Sequence, residues 1–347
     1  MTNCKLVGGF IAIALSSVGI QNTMGQSVSK SVRPGKGLYE IVFSEKSNAV
    51  YVAGVGDRGD NNARIFKLNP QTLKVEDSID VSEAPAYGLG LNEKSQTLYT
   101  SNTRSNSVHA IDLKTGKIVA TIRNGNEKSH TREIIADEQA NTIYVSDVGA
   151  GIWVIDGKNN TFSTLIGNAG KSLAGMALDE KNKVLYMTDI KSDKIVVYDL
   201  KRKIVTDSFP SGGKGAINLV RDAKTKRLFV ANQGSGELTV LEESTGKVLK
   251  VIPTGKGALG VNFNPAKNLV YVANRQEGTL TIVNAATYET VASLHTGTHP
   301  NTVAVSKNGN AFVSNKARSG PRPKPGETPQ PQPEDTNGDT VTLVTIP

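Results

Sequence analysis

Short apolar runs, each closed by polar turn residues, recur along this chain at a nearly constant spacing. The clearest is Leu269-Val270-Tyr271-Val272-Ala273-Asn274. Its near copies carry an aromatic in third place at Tyr51, Tyr99, Tyr144, Tyr186, Phe229, Tyr271 and Phe312, at intervals of 48, 45, 42, 43, 42 and 41 residues. Three residues after the aromatic comes Asn102, Asp147, Asp189, Asn232, Asn274 or Asn315; the first copy has Gly54 instead. A period of about 40–45 residues with strand-like content in each unit is the signature of propeller blades, so seven copies predict seven blades.

Each unit divides into four strands separated by polar turns. In the second unit these are Tyr87 to Leu91, Thr97 to Thr100, Val108 to Ile111 and Ile118 to Ile122. Asp, Asn and Gly in the turns cap nearby amides or supply positive φ, as in Asp112-Leu113-Lys114-Thr115-Gly116. The seventh unit stops after its third strand, Thr340 to Ile346, while Val28 to Val32 alternates polar and apolar ahead of the first unit. One strand from the N-terminus would complete the last blade, close the ring and remove two exposed edges. The expected fold class is therefore all-β, a seven-bladed β-propeller of four-stranded blades, with residues 26–347 as a single domain. Residues 316–339 are rich in proline and charge, cannot bury a core, and are expected to form a mobile loop within the last blade.

Composition changes this picture in three places. Apolar content of 37% suits half-buried strands rather than a helix-rich enzyme. Residues 1–25 read as a secretory signal peptide, with Lys5 at its start, an apolar stretch from Leu6 to Ile20 and small residues near Thr23-Met24-Gly25. That stretch is too short to span a bilayer comfortably, so no membrane span is expected after cleavage. A periplasmic location is expected, with secretion as the alternative. The single cysteine, Cys4, leaves with the signal, which excludes disulfides, thiolate metal sites and cysteine nucleophiles. Without Lys5, 39 basic and 32 acidic residues remain, a net +7 that favours anionic partners.

The pattern in Tyr271-Val272-Ala273-Asn274, Phe229-Val230-Ala231-Asn232 and Tyr144-Val145-Ser146-Asp147 resembles the YVTN-repeat β-propellers, over essentially all of the mature chain. Gly35-Lys36-Gly37-Leu38-Tyr39-Glu40, Arg132-Glu133-Ile134-Ile135-Ala136-Asp137 and Thr298-His299-Pro300-Asn301 make it most like the bacterial periplasmic YncE-like proteins. The resemblance implies a seven-bladed, exported, non-catalytic protein, with nucleic acid among the ligands proposed for the type.

In a propeller the inner strand of each blade lines a central channel, and the starts of these strands gather at one mouth. Counting back from the aromatics places Tyr39-Glu40, Tyr87-Gly88, Arg132-Glu133, Ala174-Gly175, Ile217-Asn218, Leu259-Gly260 and Asn301-Thr302 there. The preceding loops repeat a Gly-Lys-Gly motif at Lys36, Lys214 and Lys256, with a near copy at Lys171 and a variant at His299. Glycine exposes backbone N–H groups and lysine adds a mobile charge, so these loops predict a cationic collar; solvated lysines on ordinary turns are the simpler account of any one of them.

The candidate ligand-binding set is Lys36, Tyr39, Tyr87, Arg132, Lys171, Lys214, Lys256, His299 and Asn301, with the tyrosines stacking on bases or sugars. Packing between blades is the competing account of the tyrosines. The expected partner is single-stranded nucleic acid or another polyanion, and propellers usually act as monomers. Glu40, Glu133 and Asn218 are oxygen donors that could hold Ca²⁺ or Mg²⁺, as in lactonase-type propellers; ion pairing with Arg132 or the collar lysines is the opposing account. No cofactor is otherwise implied. No nucleophile elbow, P-loop or spaced histidine cluster occurs, so catalytic residues are assigned to none. A protein-interaction scaffold using the Pro-rich segment is the third function class.

Overall fold

The second and third strands of a blade are mostly buried because neighbouring blades cover both of their faces, whereas an outer strand has only one covered face. In the computed structural model this gradient orders every sheet. In the first blade, Ala49–Gly54 is buried along its whole length, while the outer Val75–Asp80 is almost wholly exposed. The structure describes Met1 and residues 25–57, 61–126, 128–318 and 333–347. The centre of the Pro-rich segment, and the signal segment apart from its two end residues, lie outside the described residues.

Seven four-stranded antiparallel sheets form, and in blades 1 to 6 the strands run from inner to outer in sequence order. Inner strands of neighbouring blades pack against one another all the way round, blade 7 against blade 1 included. Blade 7 consists of His299–Val305, Ala311–Lys316 and Thr340–Thr345, completed by the N-terminal strand Ser27–Val32 pairing antiparallel with Thr340–Thr345. The ring is thus closed by hydrogen bonds between the two ends of the chain. Asp339 secures the joint, accepting from the Leu38 and Ala317 amides at 3.2 Å each.

The apolar core is distributed rather than central. Each of its seven clusters fills one interface between adjacent blades, for example Tyr99, Ile143, Val145 and Trp153 between blades 2 and 3. All seven repeat aromatics are buried in these interfaces. Three residues before each aromatic lies a left-handed residue: Asn48, Gln96, Asn141, Lys183, Lys226, Asn268 and Gly309, with φ between 47° and 92°. This residue reverses the chain between the first and second strands.

The repeated Asn or Asp is a clasp. The Asp147 carboxylate accepts from the His130 amide (2.7 Å) and from the buried Trp153 indole (2.9 Å). Asp189 accepts from the Lys171 and Ser172 amides, and Asn274 donates to Thr254 O and Thr281 Oγ1. Each thus pins the incoming inter-blade loop or the third strand to the end of the second. In blade 1 the clasp is replaced: the Phe66 ring occupies the space above Gly35 and Gly54, where a Cβ would lie 2.3 Å and 2.9 Å from its carbons. Among the described residues no helix is long and apolar enough to cross a membrane.

Candidate functional site

The inner strands do not run straight into the channel mouth. Six of the seven shift register near their start, at Leu38/Ile41, Thr131/Ile134, Leu173/Met176, Ala216/Asn218, Ala258/Gly260 and Pro300/Thr302. A bulge places an unpaired residue on one strand and re-aims its side chain. The residues skipped by the ladder include Tyr39, Glu40, Arg132, Glu133, Leu259 and Asn301, and these line a cavity of about 280 Å³ at the mouth. The inner strand of blade 2 has no such shift; Gly88 instead lets it approach blade 3, since a Cβ there would sit 2.3 Å from Arg132 O.

One side of the cavity is aromatic and cationic. Tyr39 and Tyr87 meet edge to face, with centroids 4.8 Å apart. Lys316 Nζ lies 3.7 Å over the Tyr39 ring and also donates to its hydroxyl, while the Arg104 guanidinium lies 5.5 Å over Tyr87. Across the ring, Arg275 of blade 6 donates to Asn301 Oδ1 (3.0 Å), and Asn218 donates to Leu259 O (3.0 Å), keeping its own side-chain oxygen to offer a ligand. Ala174 and Leu259 supply an apolar wall.

Glu40 and Glu133 approach each other in this cavity. Burial pushes the Glu40 carboxyl well above the ordinary carboxylate range, and the charge of Glu133 adds to it against the opposing Thr302 hydrogen bond and Arg132. Burial also raises Glu133, with Arg132 opposing. Two carboxyls that cannot both ionise cheaply hold a proton between them near neutral pH. Burial first, then Arg132, lowers His130; burial first, then Arg275, lowers His299, so both imidazoles favour the neutral form.

The predicted residues thus separate into two groups. Tyr39, Tyr87, Arg132, Asn301, Glu40, Glu133 and Asn218 come together around the cavity. Lys36, Lys171, Lys214 and Lys256 are exposed and lie outside its lining, as does the half-buried His299. Lys36 pairs with Asp57 (2.6 Å) and Lys214 with Asp193 (3.4 Å), and the Lys256 amide donates to Glu277 (3.4 Å). The glycines of these loops serve the fold. Gly37, Gly215 and Gly257 have φ of 65–75°, and their carbonyls accept from Val55, Gln233 and Arg275 amides on the turn after the second strand. The loop at Lys256 therefore positions Arg275. Among the described residues no group of three or more His, Cys, Asp or Glu converges as a metal cluster.

Arg104, Arg275 and Lys316 are absent from the predicted set. A signal for them existed: each follows the repeated Asn by one or two residues (Asn102-Thr103-Arg104, Asn274-Arg275, Asn315-Lys316), on the turn that faces the mouth. One residue after the repeated Asn or Asp (Gly54 in blade 1) the other blades hold Val55, Thr103, Val148, Ile190 and Gln233, so Arg275 and Lys316 stand out there, whereas Arg104 shares its position with Lys191.

A closed seven-bladed ring whose mouth gathers unlike residues at equivalent positions of the repeat defines a β-propeller with a channel-mouth site. A family model described as a YNCE-like beta-propeller matches residues 9–265. The YncE proteins of Escherichia coli O157:H7 and strain K12 are 37% and 36% identical to this chain over 299 residues, 82% of it and 84% of each of them. YncE of Salmonella typhi is 33% identical over 323 residues, 89% of both chains. The chain belongs to the YncE-like β-propeller family.

Proposed function

We propose that this protein is an exported, non-catalytic binding propeller that holds an anionic ligand, with single-stranded nucleic acid as the favoured class, at the channel mouth. The observation that carries the reading is the Tyr39–Tyr87 pair at 4.8 Å, overlaid by Lys316 and Arg104 and flanked by Arg132 and Arg275. Bases stack on aromatic rings for about 1–3 kcal/mol each, and cations beside the rings meet the phosphates. The exposed lysines Lys36, Lys171, Lys214 and Lys256 would extend the track outward. Residues 1–25 would direct the chain to the periplasm.

Anisotropy of a labelled single-stranded oligonucleotide at several salt concentrations tests this. Neutralising Arg104, Arg132 and Arg275 should flatten the salt dependence by about 2 in log–log slope, at roughly 0.7 per phosphate contact. Tyr87→Ala should weaken binding about tenfold or more. Failure of the wild-type protein to bind saturably at low salt overturns the reading. The proximity of Glu40 and Glu133 favours one second reading, a divalent-ion hydrolase of the lactonase type; the purified protein would then carry or be activated by Ca²⁺ or Mg²⁺.

A further inference from the structure

Two guanidiniums from opposite sides of the ring, Arg132 on blade 3 and Arg275 on blade 6, face one cavity without a carboxylate bound to either. Among the described residues Arg132 makes no hydrogen bond or ion pair, and Arg275 donates only to the neutral Asn301. The cost shows at Arg275, which is lowered by burial first and also by the charge of Arg132, with Tyr39 opposing. Guanidinium forks match the two oxygens of a carboxylate or phosphate, and an oxyanion between them would turn mutual repulsion into two attractive contacts.

We propose that the channel cavity is a specific seat for a compact organic oxyanion, a carboxylate or phosphate monoester of about one ring's size, clamped between Arg132 and Arg275 beside the Glu40–Glu133 pair. The inference rests on the reading that the channel mouth is the ligand site, and it names what the site selects. A cavity of about 280 Å³ lies at the small end of ligand pockets, which run to about 300–1,000 Å³. It suits a compact body with the Tyr39 and Tyr87 rings on one side and the Ala174–Leu259 wall on the other. The carboxyl pair fits the same occupant. A neutral carboxyl donates O–H to an oxyanion, and a bound negative charge draws a proton from solution onto whichever of the two is ionised. The other titrating groups facing the pair are Tyr39, Tyr87 and His130, together with the fixed charges of Arg104, Arg132 and Arg275; Lys316 sits behind Tyr39. Burial holds His130 neutral, so Glu40 and Glu133 are the groups that take up the proton.

Calorimetric titration of the full purified protein with benzoate, phenyl phosphate and inorganic phosphate, beside benzylamine as a cationic control, tests the seat. At pH 6 benzoate or phenyl phosphate should bind at least tenfold tighter than benzylamine, and the tighter of the two says whether the seat prefers carboxylate or phosphate. Titrations near pH 8 in two buffers of different ionisation enthalpy should show proton uptake, and affinity should fall about tenfold between pH 6 and pH 9. Arg132→Gln and Arg275→Gln should each weaken binding about tenfold or more at an unchanged melting temperature. The Glu40→Gln/Glu133→Gln double variant should still bind while losing both the proton uptake and the pH dependence. No oxyanion binding at millimolar concentration, or binding indifferent to Arg275→Gln, overturns the proposal. Oligonucleotide binding without any small-oxyanion binding sinks this seat and leaves the mouth reading intact; oxyanion binding without oligonucleotide binding sinks the nucleic-acid reading and leaves the seat.

Discussion

The two faces of this ring handle polar groups in opposite ways. On the face away from the mouth, charged residues recur in register and satisfy one another. The Glu45, Glu93, Glu138 and Glu180 carboxylates occupy equivalent positions in blades 1 to 4, and each accepts from a backbone amide of the preceding blade: Lys307 to Glu45, Glu45 to Glu93 (2.7 Å), Glu93 to Glu138 (2.8 Å) and Glu138 to Glu180 (3.5 Å). Farther round, Arg221 donates to Asp179 and Glu243, both at 2.6 Å. At the mouth, equivalent positions hold unlike residues, and Arg132 has no hydrogen-bond partner among the described residues. A polar group that repeats with its partner holds blades together. One that departs from the repeat and lacks a partner is free to serve a ligand.

The satisfied face depends most on one buried cluster of charges. Arg221, Asp179 and Glu243 have side chains only 5–9% exposed. Removing Arg221 leaves the two buried carboxylates only the half-exposed Lys226, 3.7 Å from Asp179 and 3.4 Å from Glu243, which costs about 3 kcal/mol. Arg221→Ala should therefore lower the melting temperature by many degrees, whereas Arg275→Ala at the mouth should lower it far less; equal losses would erase the distinction drawn between the faces.

Next comes the carboxylate relay. Glu93 accepts from the Glu45 amide, the Ser44 hydroxyl and the Gln96 amide group. Glu93→Ala should cost about 1–3 kcal/mol, because the stranded donors sit at a blade interface where water replaces the carboxylate poorly. Chemical denaturation would read the loss directly, and a change under 0.5 kcal/mol would show the relay to be incidental.

A third prediction concerns pH, and its sign is opposite to that of an ordinary ion pair. Because the folded state holds Glu40 up to about 8 and raises Glu133 as well, it binds more protons than the unfolded chain between the ordinary carboxylate range and that pH. Stability contributed by the protonated pair is present at low pH and is lost as pH rises through this window. Glu40→Gln/Glu133→Gln should melt a few degrees higher than the wild type at pH 8.5 and no higher at pH 4.5. A wild-type melting curve that rises toward pH 8 where the variant's does not would contradict the raised carboxyls.

How far these features were legible in the sequence follows the same division. Blade number, strand order and ring closure were legible because the aromatic at Tyr271 and its six counterparts must be buried once per blade, which imposes a period. The tyrosines, Arg132 and the glutamates were legible as mouth residues by counting back from that period. Two things were not. The bulges at Leu38/Ile41 and Thr131/Ile134 arise from how seven inner strands crowd around one axis, and no local residue choice announces them. The roles of the Gly-Lys-Gly loops were hidden as well: Gly215 looked like an anion cradle, but its amide donates to Asp193 (2.6 Å) and its carbonyl accepts from Gln233. A glycine needed for a left-handed turn and one needed for ligand approach read alike in a sequence. Only the partner of its N–H separates them.

The collar lysines repeat like structural charges but lie in solvent. Lys214 is 80% exposed and meets Asp193 at 3.4 Å, and Lys36 is 63% exposed beside Asp57. Exposed pairs contribute about 0.2–1 kcal/mol and are screened by salt. Lys36→Ala, Lys214→Ala and Lys256→Ala should each change stability by less than about 0.5 kcal/mol. Their triple variant should lower oligonucleotide affinity in 50 mM salt by a smaller factor than Arg132→Ala alone, since Asp57 and Asp193 already occupy part of the field of Lys36 and Lys214. A triple variant that loses more affinity than Arg132→Ala would place the binding surface on the collar, and would mean that repetition with an acidic partner does not mark a charge as structural.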